Sequence, residues 1–118
     1  MQLRSDSFTH GEYLPTQYAF GKTSADGKID LSDNKNPHLG WSDLPEGTKS
    51  VALLCIDGDV PTKPDDVNQE GRVVPSDLPR ADFSHWVLVD VAPDAAIAEG
   101  AFCDGITPKG KDGPDGPQ

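Results

Sequence analysis

The sequence predicts a mainly β fold of antiparallel sheets, with functional loops at one end. Two short apolar runs, 50–56 and 85–91, have the length and composition of strands. Twelve glycines and eleven prolines among 118 residues favour short strands joined by long ordered loops. Helical periodicity is weak throughout. Only 35% of residues are hydrophobic, but their clustering into runs argues against a disordered chain.

The amino-terminal part of the chain predicts short strands separated by turns. Aromatic residues scattered over 8–20 suggest one or two short strands. Asp26-Gly27 is typical of a hairpin turn, and the polar–apolar alternation of 28–31 predicts a half-buried strand after it. The Leu-Pro-Glu-Gly sequence at 44–47 predicts a further turn.

The two apolar runs predict the principal strands. Because 50–56 is almost continuously apolar, we expect it to be buried on both faces, with Cys55 as a small buried side chain. The segment 57–82 is polar and contains four prolines, which predicts a long loop with a functional role. The second strand is expected at 85–91.

Beyond the second strand the sequence predicts little regular structure. Pro93 ends the strand, and 94–99 is expected to form one helical turn capped by Asp94. Glycine and proline are abundant in 104–118, which predicts a tail or loop unable to pack a core by itself. The whole chain, 1–118, is expected to form one domain.

The charge balance argues against two classes of partner, nucleic acids and anionic membranes. Twenty acidic and ten basic residues give a net charge of −10, which argues against nucleic-acid binding and against adhesion to anionic membranes. We find neither an apolar signal segment nor a run long enough to span a bilayer, so a cytoplasmic protein without an integral membrane segment is expected. Cys55 and Cys103 fit unpaired thiols. Their spacing predicts no metal site, and no cofactor is expected.

The candidate site lies where the two principal strands meet the long loop. Asp57 and Asp59 follow the first strand, and His85 opens the second. A carboxylate beside a histidine can orient a protonated ring, which gives a donor for an anion and an acceptor for an amine. Gly58 allows close approach of a ligand, and Pro61 stiffens the exit from the strand. Binding of a small charged group is therefore the leading hypothesis.

Other interpretations of these residues remain open. The two acids could simply cap a loop, and His85 could be a core histidine. A divalent metal could be held by Asp57, Asp59 and His85. A hydrolase could use the same Asp/His cluster. Core packing is the expected role of Trp41 and Trp86, because each adjoins an apolar segment.

Several segments, in this order and spacing, resemble the phosphatidylethanolamine-binding protein family, in particular its bacterial Raf-kinase-inhibitor-like branch. They are Asn-Pro-His-Leu-Gly-Trp at 36–41, Leu-Pro-Glu-Gly-Thr-Lys-Ser at 44–50, the D-x-D-x-P segment at 57–61, and His-Trp-Val-Leu-Val at 85–89. The resemblance implies an antiparallel β-sandwich with a small anion pocket at one rim. It implies that Asp57 and His85 line this pocket and that Asp59 and Pro61 shape its loop. Asp82 corresponds more weakly to an acidic position just ahead of the histidine.

The implied function is non-enzymatic binding of a phosphate-like group, including a phosphoethanolamine headgroup. The alternative that the family offers is a protein-interaction module that inhibits a kinase or a protease.

Two departures from the family pattern stand out. Gly58 replaces the usual proline of the motif, and the family's later G-P-C-P-P-type loop, second histidine and closing strand have no counterpart here. The sandwich is therefore expected to be incomplete at its C-terminal end, with a dimer or a companion chain as candidates to complete it.

Overall fold

A computed structural model describes residues 1–106 and confirms a mainly β fold with antiparallel pairing. The chain forms three two-stranded sheets, which pair β1 with β4, β2 with β3, and β5 with β6. The elements are β1 Gln2–Arg4, a 3-10 turn at Thr16–Tyr18, β2 Gly21–Thr23, β3 Ile29–Leu31, β4 Gly40–Ser42, β5 Val51–Pro61 and β6 Arg80–Val91. The sandwich arrangement of these sheets stays a prediction.

The predicted hairpin around Asp26-Gly27 is confirmed. It joins β2 to β3, and Gly27 adopts the left-handed conformation (φ 80°) that a glycine tolerates best. The Ser24 backbone closes the turn, accepting from Gly27 N–H and donating to Lys28 O. The expected half-burial is wrong, because Ile29 and Leu31 are 69% and 61% exposed. The alternation of polar and apolar residues predicted the strand correctly, but it did not predict that the apolar side chains would be exposed.

The expected strands at 8–20 are not present. Pro15 and Gly11, with φ 81° at Gly11, interrupt this segment, and its only regular element is the 3-10 turn at Thr16–Tyr18. A short strand forms earlier instead. This strand, β1, pairs antiparallel with β4.

The two principal strands are confirmed, but both are longer than expected. β5 continues to Pro61 and β6 begins at Arg80, so the connecting loop is 62–79 rather than 57–82, and Thr62 N–H donates to Pro79 O at its base. The expected burial of 50–56 on both faces is wrong, and Cys55 is exposed. The reason is that β5 and β6 form a sheet of only two strands within the described residues, which offers few side chains to cover either face.

The helical turn expected at 94–99 is also wrong. A turn forms in which Ala95 N–H donates to Ala92 O, and Ile97 then exchanges two backbone hydrogen bonds with Leu39, at 2.9 and 2.8 Å. This non-local pairing satisfies backbone groups that a single helical turn would leave without partners. The turn at 44–47 is confirmed by a bond from Thr48 N–H to Pro45 O. Of the predicted tail, 104–118, only 104–106 lie within the described residues.

The chain divides into two compact units. The first comprises Met1–Val51 and, of the described residues, 90–106, and its core contains Leu39, Val91 and Ile97. The second comprises Ala52–Val89, in which Leu88 is fully buried. That 1–118 form a single domain remains a prediction.

The two tryptophans are both half-buried. Trp41, in the first unit, donates from Nε1 to Pro93 O at 2.8 Å. Trp86, in the second unit, lies on β6. Among residues 1–106, no helix has the length and apolar character needed to cross a membrane.

Candidate functional site

The structure brings Asp57 and His85 together, as the sequence predicts. Asp57 lies just past the middle of β5 and His85 in the first half of β6, and His85 Nε2 is 3.7 Å from Asp57 Oδ2. The Asp57 and His85 side chains are 45% and 53% exposed, so both partners of this contact are accessible to solvent. A protonated His85 would carry its positive charge beside the carboxylate and would still have Nδ1–H to donate.

The second oxygen of Asp57 has a separate role. Asp57 Oδ1 accepts the backbone N–H of Asp59 at 2.9 Å, the local bond that a short acidic side chain makes two residues along the chain. The bond fixes the orientation of the Asp57 carboxylate. His85 therefore faces a carboxylate that is held in place by its own strand.

Asp59 has a different cationic partner, Arg80, which our sequence reasoning missed. Arg80 Nε lies 3.7 Å from Asp59 Oδ1, and Nη1 lies 3.5 Å from Asp59 O. Nη2 lies 3.5 Å from Pro75 O in the connecting loop. The signal in the sequence was a basic residue at the end of the long loop, and it could be interpreted only once the strand was known to begin there.

Phe83 is the second residue that sequence reasoning missed. Its ring centroid lies 5.0 Å from that of His85, at an interplanar angle of 68°, which is an edge-on contact. Residues two apart on a strand share a face, so Phe83 and His85 are natural neighbours. The His85 ring is thus bordered by an aromatic ring as well as by the Asp57 carboxylate.

Asp82 and Pro61 have more distant roles than the other predicted residues. Asp82 Oδ1 lies close to Gly58, so that a Cβ added at Gly58 would come within 3.4 Å of this oxygen. Asp82 and His85 are an odd number of residues apart on β6, which directs their side chains to opposite faces. Pro61 is the last residue of β5 and is half-buried. Asp57 and His85 are therefore the two predicted residues that form a direct pair.

The metal interpretation finds no support. Nowhere in residues 1–106 do three or more histidine, cysteine, aspartate or glutamate side chains converge in a way that could hold a metal ion. Asp57 and Asp59 are two residues apart on β5, but their carboxylates have different partners, His85 and Arg80. Asp57 thus faces His85, and Asp59 faces Arg80.

Comparison with known proteins agrees with this fold. The family model described as phosphatidylethanolamine-binding protein matches residues 4–116. The UPF0098 protein YbhB of Escherichia coli (strain K12) is 31% identical over 106 residues, which cover 90% of this chain and 53% of the relative. The UPF0098 protein of Aquifex aeolicus is 36% identical over 91 residues, which cover 77% of this chain and 37% of the relative.

A third relative, the UPF0098 protein of Chlamydia muridarum, is 32% identical over 102 residues, which cover 86% of this chain and 53% of the relative. The chain spans about half the length of the curated relatives it matches. No solved structure matches it. The match of the family model over almost the whole sequence shows that the chain belongs to the phosphatidylethanolamine-binding protein family.

Proposed function

We propose that this protein binds, without catalysing a reaction, a small ligand that carries both a phosphate-like group and an amine, of the phosphoethanolamine kind. The observation that carries the proposal is the half-exposed Asp57–His85 pair, 3.7 Å between Oδ2 and Nε2. A protonated imidazole can donate to a phosphate oxygen, and a carboxylate can accept from an ammonium group. A ligand with both groups uses both residues.

The charges around the pair favour a zwitterion over a simple anion. Asp57 and Asp59 contribute two negative charges and Arg80 contributes one positive charge, so the groups next to His85 are negative on balance. The whole chain carries a net charge of −10, which repels an anion at long range. An ammonium group on the same molecule offsets this repulsion, because its attraction to the acids has the opposite sign.

The contacts of His85 support binding rather than hydrolysis. Its partners in the described part of the chain are a carboxylate and an aromatic ring. A hydrolase in which His85 activated a side-chain nucleophile would need a hydroxyl or a thiol within hydrogen-bond reach of the ring. The neighbouring Ser84 faces the opposite side of the strand.

A titration tests the proposal directly. Phosphoethanolamine is added to the isotopically labelled chain, and the ring resonances of His85 are followed by NMR. A saturable shift is expected in the wild type and its loss in Asp57→Ala. Asp66→Ala is the matched control, because Asp66 pairs with Arg72 at 2.9 Å in the same unit without touching the site. His85 resonances that stay unmoved at millimolar ligand would contradict the proposal. Turnover of a generic phosphoester that is abolished by His85→Ala would favour the hydrolase instead.

A protein-interaction role is the second candidate, and the apolar surface of the second unit favours it. Side chains on both strands of the β5–β6 sheet are 47% to 58% exposed, namely Leu54, Ile56, Phe83, Val87 and Val89. Such surfaces are typical of contacts with another protein, whether a second copy, a companion chain or an inhibited kinase or protease. A native mass above 12.6 kDa, or a partner that binds Asp57→Ala and His85→Ala equally well, would support this role. A monomer that retains no partner would contradict it.

A further inference from the structure

We infer that Arg80 is a positioning residue that sets which sign of ligand charge the Asp57–His85 pair prefers, an inference that rests on the proposed function. Arg80 does this by neutralising Asp59 and by tying the connecting loop to the end of β5. Asp57 is thereby left as the acid available to a ligand.

Arg80 reaches three oxygens from its place at the start of β6. Its Nε is 3.7 Å from Asp59 Oδ1, and its two terminal nitrogens are 3.5 Å from Asp59 O and from Pro75 O. The Arg80 side chain is 30% exposed, whereas that of Asp59 is 86% exposed. The guanidinium is therefore partly enclosed by the oxygens around it. Each contact is long for a hydrogen bond, so electrostatic attraction rather than directional bonding accounts for most of the effect.

Asp59 is linked closely enough to the candidate site for its charge to matter. Its backbone N–H is held by Asp57 Oδ1 at 2.9 Å, and two residues of an extended strand span about 7 Å. If Arg80 were removed, an uncompensated carboxylate would remain at about that distance from a ligand on Asp57. That charge would repel a phosphate and attract an ammonium group.

The size of the effect follows from Coulomb's law. One unit charge at about 7 Å changes an affinity by about threefold at the dielectric constant of bulk water, about 80, and by about tenfold at an effective value of about 35, which suits a carboxylate as exposed as that of Asp59. The change falls as salt is added, because both residues lie near the surface. The direction of the change in affinity is what identifies its cause. A general disruption of the site would weaken the binding of both a phosphate and an ammonium group. An uncompensated negative charge on Asp59 would instead weaken the binding of phosphate and strengthen that of the ammonium group.

The test uses two probes that each carry one kind of charge, inorganic phosphate and ethylammonium. Their affinities are measured by NMR titration for the wild type, Arg80→Gln and Arg80→Lys. In Arg80→Gln the affinity for phosphate is expected to fall about threefold to tenfold, and that for ethylammonium to rise by a similar factor. Arg80→Lys restores the charge and should return both affinities toward the wild type. Arg72→Gln is the matched control, because it removes the same net charge from the Arg72–Asp66 pair in the loop.

A second measurement needs no ligand. Because Arg80 contacts Asp59 and follows Pro79, whose carbonyl accepts the Thr62 N–H at 3.1 Å, Arg80→Gln should shift the Asp59 and Thr62 amide resonances and speed their hydrogen exchange. Arg72→Gln should leave both amides unchanged.

The two measurements separate failure of this inference from failure of the proposed function. If the wild type binds neither these probes nor phosphoethanolamine while Arg80→Gln still alters both amides, the proposed function and the selectivity role of Arg80 are overturned together, and only its contacts with β5 and the loop are supported. If the wild type binds both probes but Arg80→Gln weakens them equally or not at all, the selectivity role alone is overturned. Opposite changes in the two affinities support it.

Discussion

Replacing Asn36 by alanine is expected to destabilise the first unit by about 4 kcal/mol. Asn36 is buried, with 6% of its surface exposed, and its side chain makes four hydrogen bonds. Its Oδ1 accepts from the N–H groups of Phe102 and Cys103 at 2.8 and 3.0 Å, and its Nδ2 donates to the carbonyls of Ala98 and Pro37 at 2.8 and 3.1 Å. A hydrogen bond contributes about 1 kcal/mol net, and four of them give about 4 kcal/mol.

Urea unfolding followed by circular dichroism measures this loss. With a denaturant slope of about 2 kcal/mol per molar urea, 4 kcal/mol corresponds to a midpoint lower by about 2 M. Gln17→Ala is the control, since it removes a single half-buried hydrogen bond to Tyr18 and should cost about 1 kcal/mol or less. If Asn36→Ala loses no more stability than Gln17→Ala, water must replace the four lost bonds, and the reasoning from burial would be refuted.

Three further outcomes are expected. Leu88→Ala should lower the free energy of unfolding by about 2–5 kcal/mol, because Leu88 is fully buried, and a smaller loss in urea unfolding would contradict that burial. The hydrogen bond from Tyr18 lowers the pKa of Glu99 below its ordinary value of 4.5. Its contribution to stability should therefore be present above pH 4.5 and be lost as the pH falls through the folded-state pKa. Tyr18→Phe should weaken this acid dependence of the urea midpoint, and an unchanged dependence would argue against the bond. Trp41→Phe should cost about 1 kcal/mol by removing the bond to Pro93 O, and a midpoint equal to the wild type would show that this bond contributes nothing.

Local signals in the sequence predicted the parts of the fold that depend on neighbours along the chain. Asp26-Gly27 identified the β2–β3 hairpin because the turn conformation is set by those two residues themselves. The apolar runs identified β5 and β6 for a similar reason. Their true ends lay beyond the apolar residues, because backbone pairing continues through Asp57 and Asp59 on one strand and begins at Arg80 on the other.

Features that depend on distant partners could not be predicted in this way. Strand β1 is only three residues long, which is too short to show a periodic pattern in the sequence. It forms because it pairs with a distant segment, with Leu3 opposite Trp41. The prediction that 50–56 is buried on both faces was wrong because the composition of a strand shows how apolar it is but not how many other strands or side chains cover it. The Asp57–His85 pair was found because Asp57 directly follows one apolar run and His85 opens the next, although both residues lie within their strands in the structure. Arg80 was overlooked because its role depends on where the loop closes.

The hydrogen bond between Asp57 Oδ1 and the Asp59 N–H restricts which side chains position 57 can accept. The aspartate side chain is short enough for one oxygen to accept the backbone N–H two residues ahead while the other oxygen faces His85. Glutamate has an additional methylene group, which moves its carboxylate away from the position where both contacts can form. Asparagine could keep the backbone bond but would lose the charge. At this one position, the backbone bond to Asp59 and the contact with His85 thus require the same length of acidic side chain, so a substitution that alters one contact alters the other.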